Sequence, residues 1–198
     1  MHAAIRMAND QDAEQICAIY APFVRDSYIT FETEPPDARE MKDRIRKVTE
    51  RWPWLVWEQA SEVLGYVYAS EHHSRAAYQW STDVTVYVRT NQHRKGIGRA
   101  LYATLFSLLR LQGYRNAIAL IALPNAPSVA LHETMGFQQV GLLKNIGYRL
   151  GAWRDVGYWQ LPLQVGGDVP SQPLARAEAE GHPEWKAAIG AAQVFLRV

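Results

Sequence analysis

The 198-residue sequence predicts an α/β (α+β) domain with elements in the order β-α-α-β-β-β-α-β-α-β-β. Three observations predict it. Apolar residues recur at helical spacing in some stretches, as at Ile97, Leu101, Leu105, Leu108 and Leu109, and alternate or run continuously in others. A β-branched and aromatic run, Thr85 to Val88, passes through a basic, glycine-containing turn into one of those helices. Hydrophobic residues make up 48% of a chain long enough for one well-buried domain and short for two.

Taken in order, Ala3 to Met7 reads as a short strand, and Asn9 or Asp10 can cap a helix with Ile16, Ile19, Tyr20, Phe23 and Val24 on one face. Ser27 to Pro36 is extended and then broken by prolines. Asp37 starts a second amphipathic helix through Met41, Ile45 and Val48, which Trp52-Pro53 ends. Trp54 to Gln59 and Val63 to Ser70 flank Ala60-Ser61-Glu62 as a hairpin, and His72 to Gln79 reads as a loop. Trp80 to Arg89 is the strand entering the glycine turn, Arg99 to Gln112 the helix leaving it, and Gly113 its stop. Ala117 to Leu123 is continuously apolar, as a buried strand is. Asn125 caps a short helix ending near Met135, and Phe137 to Leu143 and Trp153 to Leu163 close the sheet. The domain is expected over residues 1–165. Residues 166–198 form a Gly/Pro linker and a C-terminal extension, either an amphipathic helix or a mobile tail.

The turn reads His93-Arg94-Lys95-Gly96-Ile97-Gly98-Arg99. The first backbone N–H groups of a helix have no intrahelical partner, and the helix dipole favours negative charge there. Gly96 and Gly98 lack a Cβ that would keep a ligand from the backbone, and Arg94, Lys95 and Arg99 add positive charge. These features describe a pyrophosphate cradle. Two other phosphate turns are excluded: Leu101 stands where a G-x-G-x-x-G would need its third glycine, and no G-K-[ST] follows Gly98.

Composition sets further bounds. A net charge of +1 gives no electrostatic case for nucleic acid or an anionic membrane. Cys17, the sole cysteine, allows neither a disulfide framework nor a cysteine metal cluster, and on an apolar helix face it reads as an inert thiol. The N-terminus shows no signal-peptide core, and the apolar run from Ala117 to Leu123 is too short to span a bilayer, so a cytoplasmic protein is expected.

The glycine turn resembles the acetyl-CoA loop of the GNAT acetyltransferase superfamily, written Q/R-x-x-G-x-G/A, with His93 at its first position. Further matches point to the phosphinothricin N-acetyltransferase branch: Thr30 to Pro35, Trp52 to Val56, Arg75 to Trp80, Val84 to Val88, Leu123 to Val129, His132-Glu133 and Gly151 to Gln160. Together they cover roughly residues 3 to 164. The resemblance implies a mixed, mostly antiparallel twisted sheet with helices on both faces. It implies direct transfer of the acetyl group of acetyl-CoA to the α-amino group of a small acidic amino acid or analogue, of phosphinothricin or methionine sulfoximine type, without a metal.

The resemblance also implies residue roles. Asp83 stands where the branch places a glutamate as general base, one methylene shorter and able to work through a bridging water. His132 would protonate the leaving thiolate. Asn125, besides capping its helix, would contact the pantetheine arm, as would the backbone of Val86, Tyr87 and Val88. The turn itself, Arg94, Lys95, Gly96, Ile97, Gly98 and Arg99, would bind the pyrophosphate. Arg75 and Tyr78 fall in the loop that meets the substrate's acidic groups, with His73 where the branch often has lysine, and Phe31 and Glu34 would shape the mouth.

The branch also implies a homodimer. Two other functions stand beside the leading one: acetylation of a protein N-terminus or of a polyamine, the polyamine being the one Arg75 argues against, and a CoA-binding module without turnover, which the shorter Asp83 favours.

Overall fold

The computed structural model describes residues 3–166 and 169–191. Seven strands form one sheet in the order β1-β2-β3-β4-β5-β7-β6, where β1 is Ala3–Met7, β2 Trp54–Gln59, β3 Glu62–Glu71, β4 Ser81–Val88, β5 Asn116–Leu123, β6 Gln138–Arg149 and β7 Ala152–Pro162. Every neighbouring pair is antiparallel except β4 and β5. That parallel pair holds only at Ser81↔Asn116, Thr82↔Ala117 and Asp83↔Ile118. Beyond Asp83 the two strands part, and a crevice opens at their C-terminal ends.

Helices cover both faces. Strand alternation sends successive side chains to opposite sides of the sheet, so Leu55 and Trp57 join one core and Trp54 and Val56 the other. Helices α1 (Ala13–Asp26) and α2 (Ala38–Thr49) bury Ile16, Ile19, Val24, Met41 and Ile45 on the second core. On the first lies α3 (Ile97–Gln112), with Leu101, Leu105, Leu108 and Leu109 fully buried. Each start has its physical signal: Asn9 caps the 3-10 turn that leads into α1, the Asp37 side chain accepts the Glu40 N–H at 2.8 Å, and α4 (Ala126–Thr134) begins after Asn125.

Two expectations shift. The sixth strand does not stop at Leu143 but continues to Arg149, through an irregular register between Leu143 and Gly147. Asn145 there has φ 51°, and its N–H is held by the Asp155 carboxylate at 2.8 Å, so alternation is broken and the segment does not read as strand. Beyond Pro162 the chain forms α5 (Arg176–Glu180) and α6 (Pro183–Ala191), with Ala179 and Trp185 buried in the α3 core. The expected extension also includes residues 167–168 and 192–198, which lie outside the described residues.

Candidate active site

The crevice between β4 and β5 organises the site. The Arg89 N–H donates to the Leu64 carbonyl on β3 at 2.9 Å. Antiparallel pairing alternates along a strand, so the backbone groups of Thr85 and Tyr87 also turn to β3. Those of Val86 and Val88 then face the crevice, where β5 no longer pairs. His93 Nε2 already meets the Val88 carbonyl at 3.0 Å, which leaves Val86 as the open edge. Tyr87 is not brought to the crevice: its ring packs among Tyr20, Phe23 and Tyr66, at centroid distances of 4.9, 5.0 and 5.6 Å.

At the mouth of the crevice stands the N-terminus of α3. Gly96 is its N-cap with φ 81° and supplies no side chain, so the N–H groups of Ile97, Gly98 and Arg99 have no capping partner; the first helical bond is Ala100 N–H to the Gly96 carbonyl at 3.0 Å. Nothing lies within 4 Å of where a Gly96 Cβ would be, so this glycine supplies both a left-handed backbone and open approach. Gly98 differs from expectation. A Cβ there would meet Leu131 at 3.3 Å, with Val88 and Val86 behind it, so Gly98 lets α3 pack closely against α4 and β4. Ile97 is buried in the core and can offer only its N–H. Arg94 and Arg99 are exposed and make no ion pair among the described residues, while Lys95 Nζ donates to Gln92 at 2.9 Å. Uncapped donors, an open glycine and exposed cations fit a pyrophosphate. Asn125, two residues beyond β5, accepts the Ser128 N–H at 3.3 Å and so caps α4.

Asp83 marks the apex, at the last parallel pair. Its Oδ1 lies 2.7 Å from His72 Nδ1. Burial raises the carboxyl above the ordinary aspartate value, and the hydrogen bond and charge of His72 oppose that rise. Trp80, three residues before Asp83, is engaged elsewhere: its Nε1 donates to the Ser171 carbonyl at 2.7 Å. Sequence reasoning missed His72. A signal existed in the hairpin register, because Ser70 pairs with Asp83 and residue 72, two positions on, emerges on the same face.

His132 is not presented to the crevice. It is buried, Nδ1 donates to the Ser128 carbonyl at 2.8 Å, and Nε2 lies 2.9 Å from the Tyr102 hydroxyl. Burial lowers its proton affinity, so the ring is neutral and Nε2 accepts from Tyr102. Its one proton is committed to a carbonyl. The expected acid is therefore corrected to a residue that orders α4 against α3.

The loop residues divide. Arg75 and Tyr78 line a cavity of about 200 Å³ with Arg51, Trp52, Glu71 and His73, and Asp83 is not in its wall. Tyr78 stacks on His73 at 4.7 Å and meets His72 edge-on at 6.1 Å, so His72 is the link between cavity and apex. On the other side the α1–α2 loop crosses the sheet. Tyr28, also missed from sequence, donates to the Pro124 carbonyl at 2.8 Å beside Asn125, and the Phe31 ring lies directly on Gly147 of β6. Glu34 is exposed with no ion pair among the described residues; its neighbour Glu32 holds Arg44 through two bonds of 2.8 and 2.9 Å.

With this geometry in place, known proteins can be compared. The family described as "Acetyltransferase (GNAT) domain" matches residues 5–157. A phosphinothricin N-acetyltransferase of Streptomyces viridochromogenes is 38% identical over 170 residues, covering 86% of this chain and 92% of its own. An L-methionine sulfoximine/L-methionine sulfone acetyltransferase of Pseudomonas paraeruginosa is 31% identical, over 86% of this chain and 100% of its own. Among solved structures, a GNAT superfamily phosphinothricin acetyltransferase of Sinorhizobium meliloti in complex with AcCoA superposes with a TM-score of 0.82 at 34% identity, covering 87% of this chain and 95% of that one.

Proposed function

Because the chain belongs to the GNAT acetyltransferase family, we propose that its acetyl-CoA-dependent N-acetyl transfer is directed at the α-amino group of a small acidic amino acid or analogue. Phosphinothricin and methionine sulfoximine are the type, following the names of the two relatives. The observation that carries the reading is the connection between the Asp83 apex and the arginine-lined cavity, made by His72 and Tyr78.

Each part of the chain then has a task. The α3 N–H groups with Arg94 and Arg99 bind the pyrophosphate. The backbone edge at Val86, with Asn125 opposite, aligns the pantetheine arm in a strand-like pairing. Acetyl-CoA supplies an activated thioester when bound. Arg75 pairs with the substrate's carboxylate or phosphinate, whose two oxygens match its planar fork. The Asp83–His72 pair drains the proton that an α-ammonium must lose before it can attack. A cytoplasmic location belongs to the same proposal, since acetyl-CoA is made inside the cell.

A homodimer is also proposed. The β6–β7 hairpin exposes Val140, Leu142, Leu143, Ile146, Tyr148 and Trp153, each between 43% and 62%, on an edge of the sheet. Monomers rarely leave so contiguous an apolar surface bare.

The test of substrate class is free-thiol release from acetyl-CoA with phosphinothricin, methionine sulfoximine, spermidine and an N-terminal peptide side by side. The acidic amino-acid analogues should give the highest kcat/KM. Preference for spermidine would overturn the assignment, and binding of acetyl-CoA without turnover of any amine would favour the sensor reading.

A further inference from the structure

Among the described residues, two histidines bond to groups that could matter for proton transfer. His132 is closed, with both nitrogens engaged by protein atoms. His72 is open on one side. Its Nδ1 sits 2.7 Å from the Asp83 carboxylate, and among the described residues that carboxylate has no second partner and the His72 Nε2 makes no hydrogen bond. The side chain keeps 22% exposure, and Asp83 keeps 28%.

We propose that His72 Nε2 is the atom that takes the proton from the attacking amine, and that Asp83 is its positioning residue. The inference rests on the acetyl-transfer reading above and deepens it. Four observations carry it. Asp83 stands at the point where β4 and β5 part, so whatever it holds sits at the head of the crevice. A carboxylate can only accept, so Asp83 fixes Nδ1 as the protonated nitrogen and leaves the Nε2 lone pair free. His72 lies at the end of β3 on the face of Asp83, under the edge of Tyr78, between the apex and the cavity that Arg75 lines. The aspartate side chain is one methylene shorter than the glutamate expected at this position, and an imidazole in front of it spans more than the missing reach. The groups around His72 are Asp83 from β4, Tyr78 and His73 from the loop, and Tyr68 from β3, whose phenol interacts with the Asp83 charge. Desolvation raises Asp83, so it is a poorer free carboxylate but a strong hydrogen-bond acceptor for an imidazolium.

The steps balance without another reactant. The α-ammonium gives one proton to Nε2 and becomes an amine. Its lone pair forms the N–C bond to the acetyl carbon, while the C–S bond breaks with its pair on sulfur. The imidazolium passes its proton to the thiolate, giving CoA thiol, and the second nitrogen-bound proton leaves to water with formation of the amide.

The deciding variant is His72→Gln, which can still donate to Asp83 but has no basicity. On whichever amine the wild type acetylates best, kcat should fall by roughly 10²–10⁴-fold. Acetyl-CoA affinity by calorimetry should stay the same. The limb of the kcat/KM pH profile that reports the base should vanish in His72→Gln and persist in Asp83→Asn. A kcat for His72→Gln within about threefold of wild type, or a limb that survives in it and vanishes in Asp83→Asn, would make Asp83 itself the base and overturn the proposal. Nitrogen-15 NMR of the imidazoles gives a readout independent of turnover: Nδ1 of His72 must carry the proton, and an Nε2-protonated ring would also overturn it. Failure of the substrate class would instead appear in the amine panel while the variant ratios still hold.

Discussion

Two histidines of the same chain are set by their surroundings to opposite work. His72 keeps a free lone pair beside a carboxylate, whereas His132 has its proton on a carbonyl and its lone pair on a phenol. The closed ring has a consequence for stability. Burial pushes the His132 imidazole below its ordinary value of 6.5, so the unfolded chain binds a proton there more readily than the folded one. Its contribution is therefore fully present above about pH 6.5 and is lost as the pH falls through the lower folded value. Thermal melts from pH 7 to 5 should show the wild type losing Tm, and His132→Gln, which has nothing to titrate, losing less. The same variant should reduce kcat by less than about tenfold, short of what a proton donor contributes. A parallel loss of Tm in both proteins, or a hundredfold fall in kcat, would return His132 to the chemistry.

The turn before α3 is the element proposed to bind the pyrophosphate of acetyl-CoA, and its two glycines do different things. Gly96 holds a left-handed conformation with open space beside it, and Gly98 fills a contact with Leu131. An L-residue in the left-handed region costs about 1–2 kcal/mol. Gly96→Val should therefore weaken acetyl-CoA binding by roughly 5–30-fold, the factor such a strain converts to. Calorimetry measures this directly, and unchanged affinity would remove Gly96 from the cradle. This element was legible in the sequence because a strand, two glycines, three cations and a helical period fall in consecutive order. The strand order of the sheet was accessible only through the resemblance, since periodicity carries no record of which strands neighbour each other. What each glycine does was not legible either, since Leu131 reaches Gly98 from a different helix. The same holds for His132, whose two partners come from its own helix and from α3, and for the second half of β6, where broken alternation hid a strand. Asp83 was found through the resemblance, at the position where the branch places its glutamate, but His72 required the register of β3 against it.

Across the whole molecule, helices are unevenly shared over the sheet. The α1–α2 layer covers the β1–β4 half of one face, and α3 with α5 and α6 fills the other, where Trp185 is buried and Gln112 ties the tail by donating to the Leu174 carbonyl at 3.0 Å. The β6–β7 hairpin is left with Val140, Leu142, Leu143, Ile146, Tyr148 and Trp153 in water, and Leu120 of β5 is 47% exposed beside it. Edge strands of this kind pair or aggregate unless they are covered, and the proposed second copy of the chain would be a cover that closes with a two-fold axis. A stable contact needs about 800 Å² from each partner, and these six side chains would form its apolar part. The hairpin also backs the substrate mouth, because Phe31 rests on Gly147. Light scattering at micromolar concentration should give twice the chain mass. Trp153→Glu, at a side chain that is 61% exposed and so dispensable for the fold of one chain, should shift that mass toward the monomer with little change in Tm at low concentration. If the wild type has the monomer mass under these conditions, the hairpin is not a dimer surface.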